Sequence, residues 1–174
     1  MTRALGWPAL AALGLLLAAC ATPRAPADAV LSGRLSVRVE GQDDRALAAA
    51  FELSGSADAG QLRLSSPLGT TAAWARWSPS QAWLRIGDTE TRHADLDALA
   101  TAALGEPVPI AALFDWLRGR AWAGAPASAR SDGVAGFNQL GWQVDLGRWA
   151  EGWIEAVRAA PPVITVRAKL ESPG

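Results

Sequence analysis

The chain has 174 residues, the usual length of one domain, and half of its residues are hydrophobic, which is enough for a sizeable core. Lys and Arg number 16 and Asp and Glu 17, so the formal charge of −1 argues against a nucleic-acid backbone as the partner. Nine tryptophans and no tyrosine fit a protein that handles apolar ligands or interfaces, although a tryptophan-rich core is the commoner explanation.

The N-terminus has the pattern of a secretory signal. Arg3 supplies a positive charge, and the apolar run that follows, residues 4–19, ends in small residues and is too short to span a membrane comfortably. The sequence Leu17-Ala18-Ala19-Cys20 resembles the lipobox of bacterial lipoproteins, in which the cysteine is lipidated and becomes the first mature residue. The alternative is a plain signal followed by a chance cysteine. Cys20 is the only cysteine, so no disulfide forms within the chain.

The lipobox resemblance implies a domain plan. Residues 1–19 are the signal peptide, residues 20–30 form the lipidated N-terminus and an Ala- and Pro-rich tether, and residues 31–174 form a single domain. A cysteine that carries a diacylglyceryl group and an N-acyl chain holds a protein stably at a membrane. The residue after Cys20 is Ala21 rather than the aspartate that commonly retains lipoproteins at the inner membrane, which points to the outer membrane.

Strand-like alternation begins at Leu31. Apolar or small residues at 31, 33, 35, 37 and 39 alternate with polar ones, and a polar turn leads to a second alternation from Leu47 to Leu53. The segments 61–65, 71–77 and 82–86 continue the series with short turns between them. This spacing predicts an antiparallel meander.

Two short amphipathic helices are predicted next. Asp95 is placed to cap a helix that Gly105 closes, and Pro109 suits the first position of a second helix that runs to Gly119. The strand-like alternation of apolar and polar residues then returns at FNQLGWQVDL, residues 137–146, and at VITVRAKL, residues 163–170. Neither the sheet nor the helices can bury their apolar faces alone, so the sheet is expected to curl around the helices.

Signals for an enzyme are poor. The sequence contains no glycine-rich phosphate loop, no Cys/His metal spacing and no nucleophile-elbow motif. The single histidine, His93, lies beside Asp95 and Asp97, which favours a surface histidine followed by a helix cap over a triad with some serine. We therefore expect no enzymatic activity, no cofactor and no metal.

Five motifs occur in an order that resembles the LolB family of outer-membrane lipoproteins. They are the lipobox at Cys20, GRLSVR, SSPLG, GEPVPIAALFDWLRG and FNQLGWQV. The resemblance covers most of the mature chain and implies a mainly β fold with some α: a curved antiparallel sheet forming an incomplete, half-open barrel, with short helices over an apolar cavity. It also implies that the protein accepts lipoproteins from the periplasmic carrier LolA and inserts them into the inner leaflet of the outer membrane.

The same resemblance, combined with the predicted inward faces of the strands and helices, indicates which residues form the functional sites. The acyl-binding cavity is expected to be lined by Leu35, Val37, Phe51, Leu53, Leu64, Leu113, Phe114, Trp116 and Leu117. Each of these residues has a dry core as its alternative. Trp116 lies one step off the apolar stripe of the second helix, which is formed by Ile110, Leu113, Phe114 and Leu117, and it either gates the opening or packs.

A membrane-contacting loop is expected at Pro67, Leu68 and Gly69, where the family carries an exposed leucine; the alternative tucks Leu68 over the barrel edge. Arg34, Arg38, Arg63 and Arg85 are candidates for docking an acidic carrier, although a solvated face is their commoner role. We expect a monomer whose partners are acyl chains, LolA and the membrane leaflet. A structural subunit of another outer-membrane assembly machine is the competing function.

Overall fold

A computed structural model describes residues 30–42 and 46–171. The described chain forms eleven strands, two α-helices and one 3-10 turn. The strands are β1 (Leu31–Val39), β2 (Leu47–Gly55), β3 (Gly60–Ser65), β4 (Thr71–Ser78), β5 (Gln81–Ile86), β6 (Thr89–His93), β7 (Ala127–Ala129), β8 (Gly136–Gln139), β9 (Trp142–Asp145), β10 (Trp153–Arg158) and β11 (Ile164–Leu170). The helices are α1 (Leu96–Leu104) and α2 (Ile110–Trp116), and the 3-10 turn is Trp149–Glu151.

All eleven strands belong to one antiparallel sheet. Their order is β6-β5-β4-β3-β2-β1-β11-β10-β9-β8-β7, so the first strand pairs with the last at the centre. Within the described residues the edge strands β6 and β7 do not pair with each other, and the sheet stays open. The predicted fold class, an open antiparallel sheet with helices, is confirmed.

The two faces of the sheet differ in polarity, as the period-two pattern predicts. In β1, Val37 and Val39 are buried while Arg34 and Arg38 are exposed, and in β4 Ala75 and Trp77 are buried beside the exposed Arg76. Because successive side chains of a strand point to opposite faces, the apolar set forms one continuous inner face. Both helices cover this face.

The helix caps follow the sequence signals closely. The Asp95 side chain accepts a hydrogen bond from the Ala98 amide, and Gly105 closes α1 in the left-handed region at φ 74°. Pro109 stands just before α2 rather than at its first position. The helix also ends earlier than predicted, at Trp116, because the chain then tightens into turns that reach Gly119 at φ 74°.

The C-terminal half departs from the predicted elements. The period-two segment 137–146 folds as the hairpin β8–β9, because Leu140 and Gly141 both adopt positive φ in a two-residue turn. The strand β10 was not predicted, although Ile154 and Ala156 alternate onto the inner face.

Every strand and helix of the described core lies between Leu31 and Leu170. A chain that begins at residue 21 therefore contains the complete described core. Neither helix in residues 30–42 and 46–171 is long and apolar enough to cross a membrane.

Candidate functional site

An apolar cavity of about 550 Å³ lies between the inner face of the sheet and the two helices. Strands β1 to β5, one residue of β11, and both helices contribute to its walls. Its volume falls within the range of small-molecule binding sites, roughly 300–1,000 Å³. The lining is almost entirely aliphatic, with Phe51 as its one aromatic side chain among the described residues.

Alanines explain why this space is hollow. The lining contains six of them, on α1, on β4 and before β2: Ala46, Ala73, Ala75, Ala100, Ala102 and Ala103. A methyl group is too short to reach across to the opposite wall, whereas leucines at these positions would fill a close-packed core. The sequence segment ALATAAL in α1 is the clearest signal of this hollow, and it was not used to predict one.

Most of the predicted cavity residues meet in this space. Seven of the nine line it: Leu35, Val37, Phe51, Leu53, Leu64, Leu113 and Leu117. The lining also includes residues that the sequence analysis did not single out, among them Leu84, Leu99, Val108 and Val166. The strand members of this second group could have been found by extending the same alternation to β5 and β11.

Phe114 and Trp116 lie outside the cavity lining. Phe114 packs edge to face against Trp77, with ring centroids 5.4 Å apart. Trp116 is fully buried, and its Nε1 donates a hydrogen bond of 2.8 Å to Oε1 of Gln139. Core packing thus accounts for both side chains, at one edge of the apolar face of α2 for Phe114 and outside that face for Trp116.

The tryptophans do not line the cavity in the described part of the chain. Trp77, Trp116 and Trp142 are buried in the core, while Trp74 and Trp83 stand half-buried on the outer face of the sheet. Large rigid rings fill the core and aliphatic chains surround the space, which suits flexible apolar ligands better than flat ones.

The cavity opens at one end of the sheet. Ile86, the last residue of β5, lines the cavity and is 57% exposed, and Ala46, Ala102 and Ala103 are also exposed lining residues. The pairing of Trp74 with Arg85 and of Ser65 with Thr71 places the end of β5 at the same end of the sheet as the β3–β4 loop. The opening and that loop therefore share one end of the molecule.

The β3–β4 loop holds Leu68 out in solvent, where it is 92% exposed. The Ser66 carbonyl accepts from the Gly69 amide at 2.9 Å, and the Ser66 hydroxyl contacts Thr70 Oγ1 at 2.8 Å and accepts from the Leu68 amide. Gly69 adopts φ 80°, which disfavours any residue with a Cβ. A hydrogen-bonded turn thus fixes an apolar side chain in water, and its role in membrane contact stays a prediction.

The remaining candidate groups are spread over the surface. Arg34, Arg38, Arg63 and Arg85 are exposed on the outer face of the sheet. The His93 ring is half-buried and lies 3.1 Å from the Thr91 hydroxyl, and the Asp95 cap that follows it is as predicted. Within the described ranges no three His, Cys, Asp or Glu residues are grouped to hold a metal. Cys20 and nearly all of the tether lie outside the described residues.

Comparison with known proteins identifies relatives over most of the chain. A family model described as outer membrane lipoprotein LolB matches residues 28–171. The outer-membrane lipoprotein LolB of Bordetella petrii is 38% identical over 160 residues, which cover 84% of this chain and 80% of that protein. The protein of the same name from Ralstonia nicotianae is 34% identical over 169 residues, covering 86% and 80%. That of Bordetella pertussis is 37% identical over 124 residues, covering 67% and 62%.

The matched residues include every strand and both helices described above. The extent of this match, together with the open sheet and the aliphatic hollow beneath its helices, assigns the family. The chain belongs to the LolB family of outer-membrane lipoproteins.

Proposed function

We propose that this protein accepts lipoproteins from the periplasmic carrier LolA, holds their acyl chains in the apolar cavity and inserts them into the inner leaflet of the outer membrane. The observation that carries the proposal is the aliphatic cavity of about 550 Å³ that opens beside an exposed leucine. Each exposed methylene of an acyl chain costs about 0.8 kcal/mol in water, so a lipoprotein crosses the periplasm only in a shielding site.

The direction of transfer in this proposal follows from differential affinity. An acyl chain moves from carrier to receptor to bilayer if each site binds it more tightly than the one before. The exposed lining residues leave part of the cavity open, which suits release into a nearby bilayer. Leu68 would bring that opening to the membrane, since both lie at one end of the sheet.

The anchoring part of the proposal rests on the sequence. Residues 1–19 would be removed, Cys20 would carry the lipid, and residues 20–30 would tether the domain of residues 31–174 to the periplasmic face of the outer membrane. Non-enzymatic action as a monomer belongs to the same proposal.

Reconstituted transfer tests the proposal. A protein comprising residues 21–174 is mixed with cargo-loaded LolA, and cargo is followed first onto this protein and then into liposomes. We expect both steps to occur. If no cargo leaves a carrier that is competent with another acceptor, the proposal is wrong and a structural role in an assembly machine gains support.

Leu68→Glu separates the two steps. Burying a leucine contributes about 1.5–3 kcal/mol, so its replacement by a charge is expected to slow delivery to liposomes roughly ten- to hundredfold. Acceptance from LolA should be unchanged, because the loop lies outside the cavity lining. Leu68→Met, which keeps an apolar tip, is the matched control and should deliver normally. Equal loss of acceptance and delivery would show that Leu68 does not act at the membrane.

A further inference from the structure

The outer face of β3 to β6 carries a surface that the proposed function does not use. Tryptophans and arginines alternate across these strands in two neighbouring rows. Arg63, Trp74 and Arg85 pair across β3, β4 and β5 in the first row, and Arg76, Trp83 and Arg92 pair across β4, β5 and β6 in the second. We call these six residues the Trp–Arg ladder.

Two of the four arginines stack on the tryptophans, so the aromatic and cationic groups share one surface. The Arg85 guanidinium lies 4.7 Å from the centre of the Trp74 ring, and that of Arg76 lies 5.4 Å from Trp74 and 5.0 Å from Trp83. Stacking engages the flat face of a guanidinium and leaves its in-plane N–H groups available to acceptors such as phosphate oxygens. The four arginines are all exposed.

The ladder keeps a net positive charge, because its four arginines are flanked by two carboxylates. Glu52 pairs in register with Arg63, and Glu90 pairs in register with Arg85 and forms an ion pair of 3.1 Å with Arg76. Within the described residues, the side chains of Arg63, Arg85 and Arg92 form neither an ion pair nor a hydrogen bond. A positive surface that contains tryptophan is complementary to an anionic membrane, where tryptophan prefers the head-group level and arginine binds phosphate.

The position of the ladder matches the depth of a membrane interface. Arg63 precedes the end of β3 by two residues and Trp74 follows the start of β4 by three, so the first row lies about 7–10 Å behind the base of the Leu68 loop at about 3.3 Å per residue. The head-group region of each leaflet is about 5–8 Å thick. A loop that enters the acyl region up to its base therefore sets the first row at the outer edge of the head-group layer.

We propose that the Trp–Arg ladder docks this protein on the anionic phospholipid head groups of a membrane, with Leu68 as the inserted tip. The inference rests on the proposed function in taking the Leu68 loop as the membrane-facing end. It adds a lipid preference: docking selects anionic leaflets through arginine and phosphate and positions the cavity opening through tryptophan. An acidic protein surface is the alternative partner, and the test separates the two.

Vesicle binding by residues 21–174 tests the ladder. The protein is titrated with vesicles of phosphatidylcholine alone and of phosphatidylcholine mixed with phosphatidylglycerol, and binding is followed by co-sedimentation. We expect tighter binding to the anionic vesicles. The double variant Arg63→Gln/Arg85→Gln should lose roughly fivefold in affinity per arginine on these vesicles and little on the neutral ones.

The control is Arg120→Gln/Arg148→Gln, which removes the same charge from exposed arginines outside the ladder. This control should bind anionic vesicles nearly as well as the parent protein. Equal weakening by the two double variants would overturn the proposal, since only net charge would then matter. Unchanged vesicle binding by the ladder variant would overturn it as well.

Cargo acceptance from LolA is measured in parallel on the same proteins. If the ladder variant accepts cargo normally and loses only vesicle binding, the membrane assignment is supported. If it loses acceptance and keeps vesicle binding, the ladder is a protein-docking face and the membrane assignment is wrong. If the parent protein accepts no cargo while the ladder variant still loses vesicle binding, the proposed transfer function is wrong. The proposal that the ladder docks on head groups is then still supported.

Discussion

At the scale of single residues, Gln139 is the polar centre of an apolar core. It is 2% exposed, and its Oε1 accepts hydrogen bonds from Trp116 Nε1 at 2.8 Å and from the Trp122 amide at 2.9 Å. Its Nε2 donates to the carbonyls of Trp122 and Ala125, each at 2.7 Å. One side chain thus connects α2 to the irregular segment before β7.

Gln139→Leu is expected to lower the free energy of unfolding by about 2–3 kcal/mol, because it leaves the Trp116 N–H and nearby backbone groups without partners. Urea denaturation of residues 21–174 measures the change. Asn138→Leu, at the neighbouring position on the opposite face, removes one 3.3 Å hydrogen bond and should cost under about 1 kcal/mol. Equal costs for the two variants would contradict this account of Gln139.

The sequence alone could not predict which residues of the apolar face of α2 line the cavity and which pack in the core. Periodicity identifies Ile110, Leu113, Phe114 and Leu117 as one apolar face. In the fold one edge of that face borders the hollow and the other, at Phe114, meets Trp77. The angle between helix and sheet decides which edge borders the hollow and which edge packs against Trp77. A one-dimensional pattern does not contain that angle.

At the scale of elements, the connection between the helices is tied to the far half of the sheet. Arg158, at the end of β10, donates to Glu106 in the α1–α2 connection at 2.9 Å, and the two side chains are only 16% and 20% exposed. The same connection contributes Gly105 and Val108 to the cavity lining. This ion pair therefore holds part of the cavity wall in place.

Glu106→Ala should lower the free energy of unfolding by about 2 kcal/mol, because it leaves the half-buried charge of Arg158 without its partner. This is less than the cost of breaking a fully buried ion pair. Hydrogen exchange should accelerate for amides of residues 105–113 while β1 and β11 stay protected. Glu151→Ala, which breaks an ion pair with Arg148 whose side chains are 58% and 64% exposed, is the control and should change stability by under about 1 kcal/mol. Unchanged exchange in the helix connection would show that the ion pair does not hold it.

The elements themselves were largely readable from local patterns. Period-two alternation identified β1 to β5, and the Asp95 and Gly105 signals bounded α1 correctly. The hairpin turn at Leu140–Gly141 was missed, because leucine is an uncommon residue at positive φ and gives no turn signal. The Glu106–Arg158 pair joins residues 52 positions apart, and only the assembled sheet brings them together.

At the scale of the whole molecule, an open sheet and a small-residue helix create the hollow together. Among the described residues, the central pairing of β1 with β11 leaves β6 and β7 as the edges of the sheet, and α1 covers the inner face with alanines that do not fill it. The apolar inner face was predictable from alternation. The volume beneath the helices was not, since it depends on how far the sheet curves away from them.

The most direct test of this account is to fill the hollow and measure acyl-chain binding. Ala73→Phe adds a ring to the cavity wall, whereas Ala48→Phe adds the same ring to the exposed outer face of β2. The affinity of residues 21–174 for a fluorescent long-chain fatty acid should fall about tenfold or more with Ala73→Phe and stay unchanged with Ala48→Phe, in proteins that unfold at similar temperatures. Binding by a folded Ala73→Phe protein as tight as that of the parent would contradict the central claim that this cavity receives the acyl chain.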